Sequence, residues 1–184
     1  MRDGHKGIGA TGSVKRDYYL FTIPALTIIA LDQVSKCIVL RTIPLHGFVS
    51  VIGGFFNLVH TRNRGMAFGL MNRPGNQLGL ILLVGATLAA LAIILFWFFK
   101  LKEQDRRFIL PLSFILAGAV GNLIDRVRLG EVIDFLDFYM GSCHWPAFNI
   151  ADSAITIGTF WLAILMLFPS RKARQQNQPR KARQ

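Results

Sequence analysis

Two aspartates stand in surroundings that penalise a lone charge. Asp134 lies between Ile133 and Phe135, and Asp152 lies near the head of the apolar run that opens Asn149-Ile150-Ala151. Two carboxylates held close in an apolar site cannot both ionise easily, so one keeps a proton that the pair shares. The ionised member can then take a proton from water while the protonated member polarises a scissile carbonyl. That is peptide hydrolysis with no serine, cysteine or metal. Spacing alone leaves plainer readings open. Asp152 suits a helix N-cap, where the dipole favours an acid, and Asp134 can be a solvated loop acid.

Other polar residues interrupt apolar stretches. Asp32 and Lys36 are four apart, on one helical face, within a long apolar block. An ionisable group inside a membrane span is costly and marks a function by default, although a structural ion pair or a lysine snorkelling to the headgroups accounts for them equally. In Arg62-Asn63-Arg64-Gly65-Met66-Ala67-Phe68, Asn63 and Gly65 fit a turn whose amide can bond an extended peptide, or a surface turn whose arginines meet lipid phosphate. The block Gly121-Asn122-Leu123-Ile124-Asp125-Arg126 closes another apolar stretch. Asp125 sits at a helix C-terminus, where the dipole opposes its charge. The adjacent Arg126 and hydrogen bonds are expected to hold it ionised, in a positioning role rather than a proton-exchanging one.

The elements that must position these residues are membrane spans. The chain has 184 residues, one domain's worth, of which 52% are hydrophobic and concentrated in blocks. About 20 apolar residues cross a bilayer core, and four stretches qualify: 18–40, 78–99, 108–124 and 150–168. Residues 1–17, Gly-rich and basic, read as a disordered leader, and 169–184 as a basic tail. Most of the basic residues flank the spans in these two tails and in the short 100–107 loop, which places all three in the cytoplasm. The net charge of +11 therefore reads as membrane topology, and a nucleic-acid partner is not expected. Residues 41–77 and 125–149 then face outward. The first, with β-branched and aromatic residues around Gly53-Gly54, reads as a small hairpin or sheet on the membrane surface. The second reads as an acid- and aromatic-rich active-site loop. The two cysteines and four histidines show no metal-ligand spacing, so neither a metal site nor a disulfide framework is expected.

Five blocks together resemble the lipoprotein signal peptidase (signal peptidase II) family: Asp32-Gln33-Val34-Ser35-Lys36, Asn63-Arg64-Gly65-Met66-Ala67-Phe68, Gly121-Asn122-Leu123-Ile124-Asp125-Arg126, Val132-Ile133-Asp134-Phe135 and Phe148-Asn149-Ile150-Ala151-Asp152-Ser153. They occur in the family's order and leave out only the two tails. Met66 stands where a smaller residue is usual. The resemblance implies a four-helix membrane protein with a small β-rich element on the outer surface. It implies an aspartyl endopeptidase of the bacterial inner membrane that cuts prolipoproteins just before the lipid-modified cysteine, without a cofactor. It puts the catalytic pair on Asp134 and Asp152. Asn122, Asp125 and Arg126 fall in a supporting shell, Asn63 and Asn149 along the substrate groove with Gly65 in the same block, and Asp32 and Lys36 in the first block. The implied partners are lipidated signal peptides and membrane lipid, and the protein is expected to be monomeric. The rival reading is a small proton-coupled transporter or channel subunit with Asp32, Lys36, Asp125 and Asp152 as a proton relay. It sits poorly with acids that crowd one face and with a chain lacking an internal repeat.

Overall fold

A computed structural model describes residues 8–65, 77–102 and 105–168, with side chains from Lys15 onward. Its first helix, α1, runs from Ile8 to Thr42. Residues 8–17, expected as a disordered leader, are thus helical, ten residues ahead of the expected start at Tyr18. Tertiary contacts hold the end of this extension next to Tyr18. Asp17 is buried and meets Arg106 Nε at 3.0 Å, and Lys102 Nζ donates to the Tyr18 hydroxyl at 2.9 Å. Residues 1–7 and 169–184, including the basic tail, lie outside the described residues.

The other helices are α2 (Gln77–Leu101), α3 (Ile109–Leu129) and α4 (Ile150–Leu167). All four helices are long and apolar enough to cross a membrane. α3 continues five residues past the expected end at 124 and stops at Gly130, whose φ of 75° and N–H bonded to the Arg126 carbonyl form a left-handed C-cap. Asp125 and Arg126 are therefore helical residues rather than the start of a loop.

Lipid offers no hydrophobic drive to pair apolar helices, so close packing depends on small residues. A Cβ on Gly158 would meet Ile115 Cγ1 and the Pro111 carbonyl at 2.8 Å, and one on Gly118 would collide with the Ala151 carbonyl. These contacts press α3 onto α4. Most of the α2 surface is exposed apolar side chain, as suits a helix facing lipid.

At one end of the bundle Phe21, Ile94, Phe98, Ile109 and Leu112 form an apolar cluster. At the other lies a four-stranded antiparallel sheet of order β1-β2-β3-β4: Phe48–Ile52, Phe56–Asn63, Val132–Met140 and Cys143–His144. The 41–77 segment supplies a hairpin turning at Gly53-Gly54, as expected, and its residues 66–76 are not described. The 125–149 segment departs from expectation: it begins as the last turn of α3, and its residues 132–144 form half of the sheet rather than a loop. The strand is hard to read locally, because every residue from Val132 to Phe135 is buried and the alternation that announces a half-exposed strand is missing. Val39 of α1 and Ile43 just after it pack against Ile133 and Phe135, which seats the sheet on the bundle.

Candidate active site

The helix starts and strand ends at the sheet end of the bundle bring every acid of interest together. β2 and β3 are antiparallel, with Thr61 opposite Asp134 and Asn63 opposite Val132. A register shift between Leu58 and Thr61 re-aims the end of β2, as bulges do. Asn63 Nδ2 consequently donates to Asp134 Oδ2 at 3.1 Å. Gly65, with φ of 84°, turns its N–H back onto Asn63 Oδ1 at 2.8 Å, which fixes the orientation of that amide.

Asp152 reaches the same place from α4. It is not the N-cap of that helix; Asn149 is, with Asn149 Oδ1 accepting from the Asp152 N–H at 2.9 Å. Asp152 Oδ2 accepts in return from the Asn149 N–H at 3.3 Å, completing a capping box. Its other oxygen, Oδ1, accepts from Asn122 Nδ2 at 2.7 Å. Asp152 is partly exposed, whereas Asp134 is 3% exposed.

Two side-chain amides span the gap between the carboxylates. Asn149 Nδ2 lies 2.8 Å from Asp134 Oδ1 and 3.2 Å from Asn122 Oδ1, and Asn122 hands its own amide to Asp152. Asn149 is fully buried and joins the two acids.

Behind the amides sits a buried ion cluster. Lys36 Nζ lies 2.8 Å from Asp32 Oδ2, 2.7 Å from Asp125 Oδ2 and 3.3 Å from Asn122 Oδ1. All three charged groups are almost wholly buried, so Lys36 does not snorkel to the headgroups. Burying an ion costs several kcal/mol unless partners are excellent, and here they are. Asp32 Oδ1 takes the Ala151 N–H at 2.9 Å, and Asp125 takes Gln33 Nε2 at 3.0 Å and the Ile133 N–H at 3.3 Å. Room for Asp32 comes from Gly121, where a Cβ would stand 2.7 Å from its Oδ2. The cation in direct contact with Asp125 is Lys36, far back in the chain on α1, rather than the adjacent Arg126. Arg126 instead turns Nη1 toward the Asn122 carbonyl at 3.4 Å.

The environment separates Asp134 from an ordinary carboxyl. Burial, then the nearby charge of Asp152, push its pKa up to about 6, against the pull of the Asn63 and Asn149 amides and Lys36. Among the described residues no three His, Cys, Asp or Glu side chains are placed to hold a metal ion. Sequence reasoning left two participants without a role. Gln33 ties Asp32, the Gly121 carbonyl and Asp125 together. Glu131 accepts from Arg62 Nη1 at 2.7 Å and Arg64 Nε at 3.0 Å. Gln33 stands inside the Asp32–Lys36 block, and its place one residue from Asp32 was the available signal. Glu131 carried none.

With this geometry in place, comparison with known proteins is decisive. Residues 24–168 match the signal peptidase (SPase) II family. The chain belongs to the signal peptidase II family. It is 45% identical to the lipoprotein signal peptidase of Syntrophus aciditrophicus (strain SB) over 154 residues, covering 84% of this chain and 96% of that one. To the lipoprotein signal peptidase of Geobacter metallireducens it is 43% identical over 164 residues, covering 89% of this chain and all of the relative. Its fold superposes on a bacterial membrane enzyme solved by the in meso method at 1.9 Å resolution, with a TM-score of 0.71 and 30% identity, covering 91% of this chain and all of that one. The protein is thus a membrane aspartic protease acting on prolipoprotein signal peptides, and a multi-pass protein of the bacterial inner membrane. The transporter or channel reading finds no support among these relatives.

Proposed function

We propose that Asp134 and Asp152 are the catalytic pair, and that the peptidase cuts on the N-terminal side of the diacylglyceryl-modified cysteine. The observation that carries this is the convergence of two acids from β3 and α4 on a shared pair of amides, one of the acids buried and raised to a pKa of about 6. Asp134 keeps the shared proton and donates a hydrogen bond to the scissile carbonyl oxygen. Asp152, ionised at the N-terminal end of α4, accepts a proton from water as the water oxygen attacks the carbonyl carbon. The tetrahedral intermediate then breaks its C–N bond, and the leaving amine of the lipidated cysteine takes up a proton from the dyad. Asn122 and Asn149 hold the two carboxylates at their spacing, and the Asp32–Lys36–Asp125 cluster holds Asn122.

Placement follows from charge. Lys102 and Arg106 contact Tyr18 and Asp17 beside the Phe21–Phe98 cluster, at the bundle end remote from the sheet, and together with Lys100 and Arg107 they support a cytoplasmic side for that end and for both termini. The sheet and the dyad then lie at the outer face. A lipidated signal peptide is itself a membrane segment and enters sideways between spans of a monomer, its acyl chains remaining in lipid. The test is cleavage of a lipidated prolipoprotein by protein purified in detergent. Asp134→Asn and Asp152→Asn should each abolish cleavage in folded, inserted protein, since an amide keeps the shape but cannot cycle a proton. Full activity in either variant removes that residue from the pair.

A further inference from the structure

Glu131 is buried to all but 7% of its surface, yet it belongs to neither the dyad nor the ion cluster behind it. It stands between the left-handed cap Gly130 and Val132, the first residue of β3. Val132 is also the last partner of β2, opposite Asn63. Among the described residues, the ladder between β2 and β3 ends at this rung, short of Arg64 and Gly65. The Glu131 carboxylate closes that open end: one oxygen takes Arg62 Nη1 at 2.7 Å, and the other takes Arg64 Nε at 3.0 Å. The two arginines flank Asn63, whose amide reaches Asp134.

We infer that Glu131 is a positioning residue for cleavage: by gripping Arg62 and Arg64 in one carboxylate it fixes Asn63 against Asp134. The inference rests on the catalytic assignment of Asp134 above. The arginine side chains are 38% and 48% exposed, so each pair adds little stability on its own. Their value is geometric, since two guanidinium groups on the two oxygens of a buried carboxylate leave the intervening residue little freedom. Burial raises the Glu131 carboxyl, but the hydrogen bonds and charges of Arg62 and Arg64 outweigh it and hold the group below its usual range. The clamp is therefore charged at neutral pH.

Asp134 is faced by Asp152 from α4, Lys36 from α1 and Arg126 from α3, and by the amides of Asn63 and Asn149. Of these, Glu131 controls only Asn63. Weakening the Asn63 hydrogen bond removes support for the ionised form of Asp134 and moves its titration upward. This readout separates positioning from mere structural support.

The experiment measures kcat and KM for a lipidated prolipoprotein across pH, with thermal unfolding of each purified variant. Glu131→Ala should lower kcat roughly tenfold to a hundredfold, as small misplacements at a reacting centre do, leave KM within about twofold, and shift the pH limb of Asp134 upward. Glu131→Gln, which keeps the shape and loses the charge, should fall between. The Arg62→Ala/Arg64→Ala pair should reproduce Glu131→Ala, and adding Glu131→Ala to it should cost nothing more, as expected of one coupled unit. A folded Glu131→Ala with wild-type kcat and an unmoved pH limb overturns the inference. So does a loss of rate that only tracks the folded fraction while the limb stays in place. If Glu131→Ala does not fold, Glu131→Gln and the arginine pair decide by the same limb. Wild-type cleavage by Asp134→Asn would instead sink the dyad, a failure visible without touching the clamp.

Discussion

Replacing Asp125 by asparagine removes one of the two carboxylates that flank Lys36 inside the bundle. Two oxygens of Asp125 serve three donors: Lys36 at 2.7 Å, Gln33 at 3.0 Å and the Ile133 N–H at 3.3 Å. An asparagine offers one acceptor oxygen and points an NH₂ at another donor. At least one buried donor is left unsatisfied, at about 1–3 kcal/mol, and a charge-assisted bond of similar worth is lost. Lys36 keeps Asp32 at 2.8 Å, so the cation is not stranded and the full 3–5 kcal/mol penalty of a broken buried pair, roughly, does not apply. The expected destabilisation is about 2–4 kcal/mol, a fall in Tm of roughly 5 to 10 °C for a chain of this size. Activity should drop only in part, because Asp125 touches Asn122 through Lys36 and does not reach the dyad itself. Single-turnover cleavage and thermal unfolding of the purified variant check both halves. An Asp125→Asn protein with normal Tm that is as inactive as Asp134→Asn would refute the reasoning and place Asp125 in the catalytic set.

Three further outcomes are expected. Because the Asp134 pKa of about 6 lies above its unfolded value, the folded state binds the proton more tightly, so this group's stabilising contribution is full at low pH and is lost as pH rises through about 6. Thermal unfolding followed against pH should show that loss in the wild type and not in Asp134→Asn, and identical profiles would contradict the raised pKa. Gly65→Ala, at φ of 84° and with Leu83 in the way of its Cβ, should cost about 1–2 kcal/mol for the left-handed backbone alone, and should slow cleavage by loosening Asn63. Steady-state kinetics and unfolding of that variant will show it. Reporter fusions after Lys102 and Arg174 should report cytoplasm, and fusions at Gly53 or Ser142 the outer side, with a cytoplasmic signal at either of the latter overturning the proposed placement.

Residue type and local period fixed a good deal of this protein without its tertiary structure. The apolar blocks are long enough to cross a bilayer, and an α-helix satisfies its backbone within the segment, so α2, α3 and α4 are legible to within a few residues at most of their ends. Asp32, Lys36, Asn122, Asp125, Asp134 and Asp152 stood out because lipid-buried polar groups are too costly to be incidental. Partnership was not legible. Lys36 beside Asp32 follows from helical spacing, but Lys36 between Asp32 and Asp125 depends on α1 crossing α3 where Gly121 leaves room. Asn149 and Asn122 became a bridge only when α4 packed on α3 through Gly118 and Gly158. The strand at 132–140 was hidden because both its faces are covered at the end that carries Asp134, which erases the alternation a single sequence can display. Glu131 read as one more loop charge, since its two arginines are nearly seventy residues distant and a β-ladder, not a sequence period, brings them to it. Local forces chose the elements and the costly residues, and the packing of one element on another chose which of those residues meet.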